Sequence, residues 1–288
     1  MKTFLIVFAV LLISNYAHAQ QLPARWDELT ADDFPAALQK SSRTCILPIG
    51  ILEKHGLHAP IGTDLIHVRE WAAHAVTQEY AVVFPDYFYG QINEARHQPG
   101  TFSLPNKLIL ELLEATCDEI ARNGFEKIIL LNGHGGNPEF LEFFMQGLLN
   151  KRRSYAVYLY RPENDSAFVK TYNQMHRSDL STDLHGGESE SSIILHYRPD
   201  LMHMERATAD NGENQHRSSL PDLYTPIWWY SSFPNHYAGD ASKTNAKLGK
   251  LITDHEIAQF VKALKAVKAD SKTIELQKEF YGAVDKVK

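Results

Sequence analysis

Between residues 44 and 160 short apolar runs alternate with amphipathic stretches. Thr44–Ile49 and 127–131 (Lys-Ile-Ile-Leu-Leu) are near-continuous apolar runs of strand length, the pattern of strands buried on both faces. Shorter strands are predicted over 81–84 and 155–160. The segments between them, 64–80, 106–123 and 138–152, carry apolar residues at helical spacing. Thr63 or Asp64 is placed to cap the first of these helices, Gly124 to end the second, and Pro138 to sit in the first turn of the third. Strands and helices alternating in this way predict βαβ units and a mostly parallel sheet covered on both faces, an α/β protein. Beyond residue 160 the pattern is less regular. A helix is predicted over 187–196, then a long ordered loop over 204–238 rich in Asn, Ser, Pro and aromatics. Two more helices, over 242–251 and 254–268, precede a polar end. No linker divides the chain, so residues 20–288 read as one domain.

Composition adds constraints. The 288 residues are 44% hydrophobic and 22% charged, which excludes a disordered or fibrous chain. The net charge of −6 weighs against nucleic acid as a partner. Met1-Lys2-Thr3, an apolar run over 4–13 and Ala17-His18-Ala19 form the pattern of a signal peptide over residues 1–19, cleaved near Ala19. The run is well short of the ~20 residues that span a bilayer, so no membrane anchor is expected and the mature chain is read as periplasmic or secreted. The two cysteines, Cys45 and Cys117, read as buried small apolar residues in preference to a disulfide.

The 14 histidines point to the chemistry, since three of them stand beside glycine and acids at element ends. Glu53-Lys54-His55-Gly56-Leu57-His58 follows the first strand, and Thr63-Asp64 comes shortly after. In extended backbone Glu53 and His55 project to the same side. Two carboxylates and an imidazole at a strand's carboxyl end suit a hard-to-borderline metal ion; the plainer alternative is three solvated surface residues. Asn132-Gly133-His134-Gly135-Gly136-Asn137 follows the second buried strand and opens a helix. It would bring His134 into the same region, with loop N–H groups able to face a developing oxyanion. In Asp183-Leu184-His185-Gly186-Gly187-Glu188-Ser189-Glu190-Ser191, Glu188 and Glu190 cannot share a helical face, so one is expected to turn inward. They also fit as acids favoured in a helix's first turn. There is no His-Glu-x-x-His helix, Gly-x-Ser-x-Gly elbow or CxxC pair.

These motifs together resemble the creatininase (creatinine amidohydrolase) family. The likeness takes in Pro48-Ile49-Gly50, Glu53 to His58 with Pro60, Thr63-Asp64, 132–137 and 185–191. It is supported by His97-Gln98-Pro99-Gly100-Thr101-Phe102-Ser103-Leu104 and by Gly239-Asp240-Ala241-Ser242. The resemblance implies a three-layer α/β/α sandwich, metal-dependent hydrolysis of an amide, often cyclic, and a homo-oligomer, frequently a hexamer. It implies Glu53, His55, Asp64, His134 and Glu190 as metal ligands, with Asp64 bridging, and His185 as the acid–base residue. His58, His97, Gly135, Gly136 and Glu188 would line the pocket or support the ligands. Creatininase itself carries Tyr-Glu where this chain has Gly135-Gly136, and a Trp before the position of His185. Those departures point to another branch of the family, whose other branches include formamidopyrimidine-type deformylases and a peptidase that matures a peptide-derived redox cofactor.

Charge counting favours two ions. Glu53, Asp64 and Glu190 bring three negative charges, which two divalent cations and a bridging hydroxide balance to near neutrality. Zn, Mn or a mixture is expected, with a single Fe or Zn as the runner-up. The function expected is hydrolysis of a small-molecule amide. The alternatives are a lactonase or peptidase of the same fold, or an exported metal-dependent binding protein without turnover.

Overall fold

A computed structural model describes residues 22–218 and 220–287, so the signal peptide read into residues 1–19 lies outside the described residues. Strands β1 (Thr44–Ile49) and β3 (Lys127–Asn132) form the middle of a four-stranded sheet, with β2 (Val82–Val83) beside β1 and β4 (Ala156–Leu159) beside β3. Every pairing is parallel, and the central register runs from Thr44 opposite Lys127 to Ile49 opposite Asn132. Alternation of side chains along these strands divides the core in two. Leu47, Ile49, Ile128 and Leu130 pack with Ala37, Leu113, Ile120 and Leu141 of α1 (Phe34–Lys40), α3 (Asn106–Arg122) and α4 (Pro138–Gly147). Ile46, Ile129 and Leu131 pack with Val68, Trp71, Phe260 and Leu264 of α2 (Thr63–Gln78) and α8 (Ala246–Ala269). The result is a three-layer α/β/α sandwich, which is why the central strands read as unbroken apolar runs.

The connections decide where a ligand can sit. From β1 the chain passes through α2 to β2 on one side, while β3 lies on the other. The loops leaving β1 and β3 therefore part at the carboxyl ends of these strands, the switch point at which open α/β sheets bind ligands. Gly50 lets α2 come in close there. A Cβ at residue 50 would lie 2.4 Å from the Cα of Leu65, so a larger residue would push the first turn of α2, and Asp64 with it, off the strand end.

Several elements depart from the expectations. The helices expected over 242–251 and 254–268 are one, α8, because nothing in Leu251–Asp254 interrupts helical geometry. It is capped by Asn245, whose side chain accepts from Leu248 N, and follows a short turn at Ala241–Lys243. The polar end forms α9 (Lys272–Val284), whose Tyr281 is buried. Two further helices, α1 and α5 (Ser166–Met175), are additions to the expected set. The 204–238 segment is mostly irregular, as expected, but contains the short α7 (Trp228–Ser232). Neither Thr63 nor Asp64 caps α2. Both lie inside its first turn, Gly62 occupies the cap position, and the Asp64 carboxylate is engaged elsewhere. Cys45 and Cys117 are free and buried in one core layer. No helix among the described residues is long and apolar enough to cross a membrane.

Helix α6 (Glu188–Tyr197), which carries Glu190, is positioned by close packing on α8. A Cβ at Gly249 would lie 1.9 Å from the Ser192 carbonyl oxygen. Gly249→Ala should therefore cost about 1–3 kcal/mol, the range for overpacking a tight contact. At ~2–4 °C per kcal/mol for a chain of this size, a thermal melt resolves that loss. An unchanged melting temperature would show that the two helices are free to separate.

Candidate metal centre

At the switch point the loop after β1 supplies Glu53 and His55, α2 supplies Asp64 and the loop after β3 supplies His134. All four are buried. The first loop is held by Gly50 N donating to Tyr87 O and Glu53 N to Ile61 O, and the second by Gly133 N donating to Ile49 O. Each imidazole has one nitrogen committed to a backbone carbonyl. His134 Nε2 lies 2.9 Å from Gln91 O, and His55 Nδ1 3.3 Å from the carbonyl of Glu53. A carbonyl can only accept, so these nitrogens carry the protons, and each ring turns its other nitrogen inward.

The inward nitrogens meet carboxylates. His55 Nε2 is 3.0 Å from Asp64 Oδ1, and His134 Nδ1 is 2.9 Å from both Asp64 Oδ2 and Glu53 Oε1. Glu190 reaches to 3.7 Å from His55 Nε2. Two donor groups result, Glu53–Asp64–His134 and His55–Asp64–Glu190, and they share Asp64, one oxygen to each histidine. Glu53 Oε1, His55 Nε2 and Asp64 Oδ2 are buried and without a hydrogen-bond partner among the described residues. Such atoms are costly to bury unless a proton or a cation lies between them, so the donor set fits a metal. Burial alone would lower both imidazoles. The facing carboxylates outweigh it, lifting His55 to about 10 and His134 well above its ordinary value. Burial likewise pushes Glu53 up, but His134, His185 and His236 hold it well below the usual carboxylate range.

His185 lies at the edge of this cluster. Its Nε2 donates to Lys54 O at 2.7 Å, its Nδ1 is 3.9 Å from Glu190 Oε2, and its ring tilts against His55. With Glu53 and His55 it forms a third possible donor group. Glu190 is the acid of its pair that turns inward, steadied by Gly186 N at 2.6 Å. Glu188 does not join the site. Its carboxylate is fully buried and accepts from the backbone N–H groups of Arg177 and Ser178, so it anchors the turn before the motif. His58 sits beneath the cluster, its Nε2 2.7 Å from Ser191 Oγ, and burial pushes it down to about 4. His97 is exposed and holds the Pro234 carbonyl at 2.9 Å, which fixes the following segment and leaves it off the centre. Gly135 borders open space. A side chain at Gly136 would collide with the His134 ring, and the Glu94 carboxylate fills that side instead.

Two supporting residues escaped sequence reasoning. His236 donates from Nε2 to Glu53 Oε2 and accepts at Nδ1 from Trp229 Nε1 at 2.8 Å, an arrangement that orients Glu53. Burial takes His236 down to about 4, so it stays neutral near neutrality. Trp229 thus has a structural task inside, while Trp228 and Tyr230 remain exposed. Lys54 ties the same region together, bonding Asp210 and the Asn235 carbonyl. The one signal was the position of Pro234-Asn235-His236 just ahead of the Gly239-Asp240 motif.

The fold and site define an α/β/α protein with a carboxylate–imidazole centre at the switch point of its sheet. The sequence profile of the Creatininase family, described as creatinine amidohydrolase, matches residues 27–264, and the chain belongs to that family. It is 32% identical over 163 residues to the mycofactocin precursor peptide peptidase of Mycolicibacterium smegmatis, covering 54% of this chain and 58%, under two thirds, of that protein. Against the creatinine amidohydrolase of Pseudomonas putida it is 28% identical over 191 residues, 62% of this chain and 74% of that one. A solved creatinine amidohydrolase (creatininase) superposes with a TM-score of 0.72 at 22% identity, over 86% of this chain and 99% of the other, which shows the shared fold.

The histidine shifts set a pH dependence. Without metal, His55 holds its inward proton up to about pH 10, and His134 is shifted the same way. A cation must displace those protons, so apparent affinity should climb with pH, by about tenfold per unit for each proton released, and level off above the imidazole values. Chelator competition at several pH values, with calorimetry in buffers of different ionisation heat, reads both slope and proton count. A flat profile with no proton release would show that these nitrogens are not ligands.

Proposed function

We propose that this chain is a metal-dependent hydrolase that cleaves an amide C–N bond and would hold two divalent cations, Asp64 being common to both donor groups. The sharing of Asp64 by two donor groups carries the proposal. Glu53, Asp64 and His134 would hold one ion, and His55, Asp64 and Glu190 the other. Oxygen and imidazole donors without thiolate suit Zn or Mn, with Fe as a further candidate. Solved creatininases include a manganese form and a zinc–zinc form. Bound there, such cations supply an activated water at neutral pH and polarise a carbonyl.

The chain's own residues do the rest. His236 and the Gln91 and Glu53 carbonyls fix the carboxylate and the two imidazoles, so their inward atoms are oriented ahead of binding. His185 keeps its Nε2 proton on the Lys54 carbonyl, which leaves Nδ1 as the atom that takes up a proton and delivers it to the departing nitrogen. A lactonase or peptidase would use the same groups. A binding protein without turnover would have no use for a proton donor at Nδ1.

Export and self-association belong to the same proposal. The leader-like residues 1–19 support export, which a mature chain beginning near Gln20 would establish by mass spectrometry. Exposed Leu223, Tyr224, Ile227 and Trp228 support a homo-oligomer, with a hexamer favoured, and light scattering reads its mass.

His185→Ala should keep its metal content and lose about 10²–10⁴-fold in kcat on a hydrolysed amide. Asp64→Ala should lose metal as well as turnover. Elemental analysis beside steady-state kinetics separates the two effects. Equal turnover by metal-stripped and reloaded protein would overturn the mechanism.

A further inference from the structure

A cavity of about 510 Å³ opens directly from the proposed centre. Its near end is bounded by His134, Gly135 and Glu190, and it runs along Trp71, Phe168 and Tyr172 to Tyr160. The volume is in the range of about 300–1,000 Å³ that holds a drug-sized ligand, far more than a small five-membered ring fills. Gly135 contributes to this room, since a Cβ there would meet nothing within 4 Å. The walls are mainly aromatic and aliphatic. Polar groups among them are already paired, His67 with Glu256 at 2.8 Å, Tyr172 with Ser189 at 2.6 Å and, at the exposed rim, Arg161 with Glu142.

We propose that the substrate is an amide bearing a large, aromatic-sized apolar group, with that group lying in this cavity while the amide meets the centre. The proposal rests on the hydrolase function above and specifies its substrate class. A small cyclic amide would leave the cavity unused.

The test compares acetamide, phenylacetamide and creatinine on metal-loaded protein, each also titrated calorimetrically for binding. Adding the ring should raise kcat/KM about 10–100-fold, as burial of an aromatic group predicts. Gly135→Phe, which fills the open space without entering the core, should reverse the ring preference while retaining its metal. Acetamide or creatinine turned over as well as phenylacetamide would overturn the proposal, as would a ring preference that survives Gly135→Phe. If no amide is hydrolysed but phenylacetamide binds with an affinity that Gly135→Phe weakens, the ligand class stands and the hydrolase function falls. If phenylacetamide is neither bound nor turned over, the ligand class itself is overturned.

Discussion

Two imidazoles, each with one nitrogen on a backbone carbonyl and the other turned to one shared carboxylate, form the constraint on which the rest of the structure turns. His55 and His134 come from loops after different strands, and each is fixed by a backbone carbonyl that leaves only one nitrogen for the interior. Asp64 divides its oxygens between them. A buried carboxylate facing two lone pairs is unstable unless positive charge lies between them. The switch point of the sheet makes this convergence possible, because β1 and β3 are hydrogen-bonded neighbours whose exit loops diverge just there. Gly50 then lets α2 bring Asp64 in from the side.

Support for the centre comes from distant parts of the chain. His236 orients Glu53 and is held in turn by Trp229, while Lys54 fastens the same irregular segment through Asp210 and Asn235. On the other side Glu190 depends on α6, whose position follows from its packing against α8 through Gly249. The first segment orients Glu53 and the second closes the cavity wall, so the less regular second half of the chain completes a site whose first donor side chains are set by the sheet.

The part of this architecture legible in sequence is the part with a period. β1 and β3 showed as apolar runs because both their faces are covered, and Glu53, His55 and His134 stood out because they follow those runs directly. The separation of Glu188 from Glu190 required that they face different ways. Which one turns inward depends on the N–H groups of Arg177 and Ser178, whose position no local pattern conveys. His236 was hidden for a related reason. It reaches Glu53 across 183 positions from a segment of irregular backbone, its own φ being +53°. Where the sequence pattern gives two helices over 242–251 and 254–268, the chain forms the unbroken α8, whose residues Ile252 and Thr253 at the expected junction are buried.

The most direct measurement of the central claim is X-ray absorption on protein loaded with Zn or Mn, with metal content determined on the same sample. Asp64 shared between two donor groups predicts two ions per chain and a metal–metal distance of roughly 3.5–4 Å, as in other two-metal sites. One ion per chain with no metal–metal scattering would contradict it.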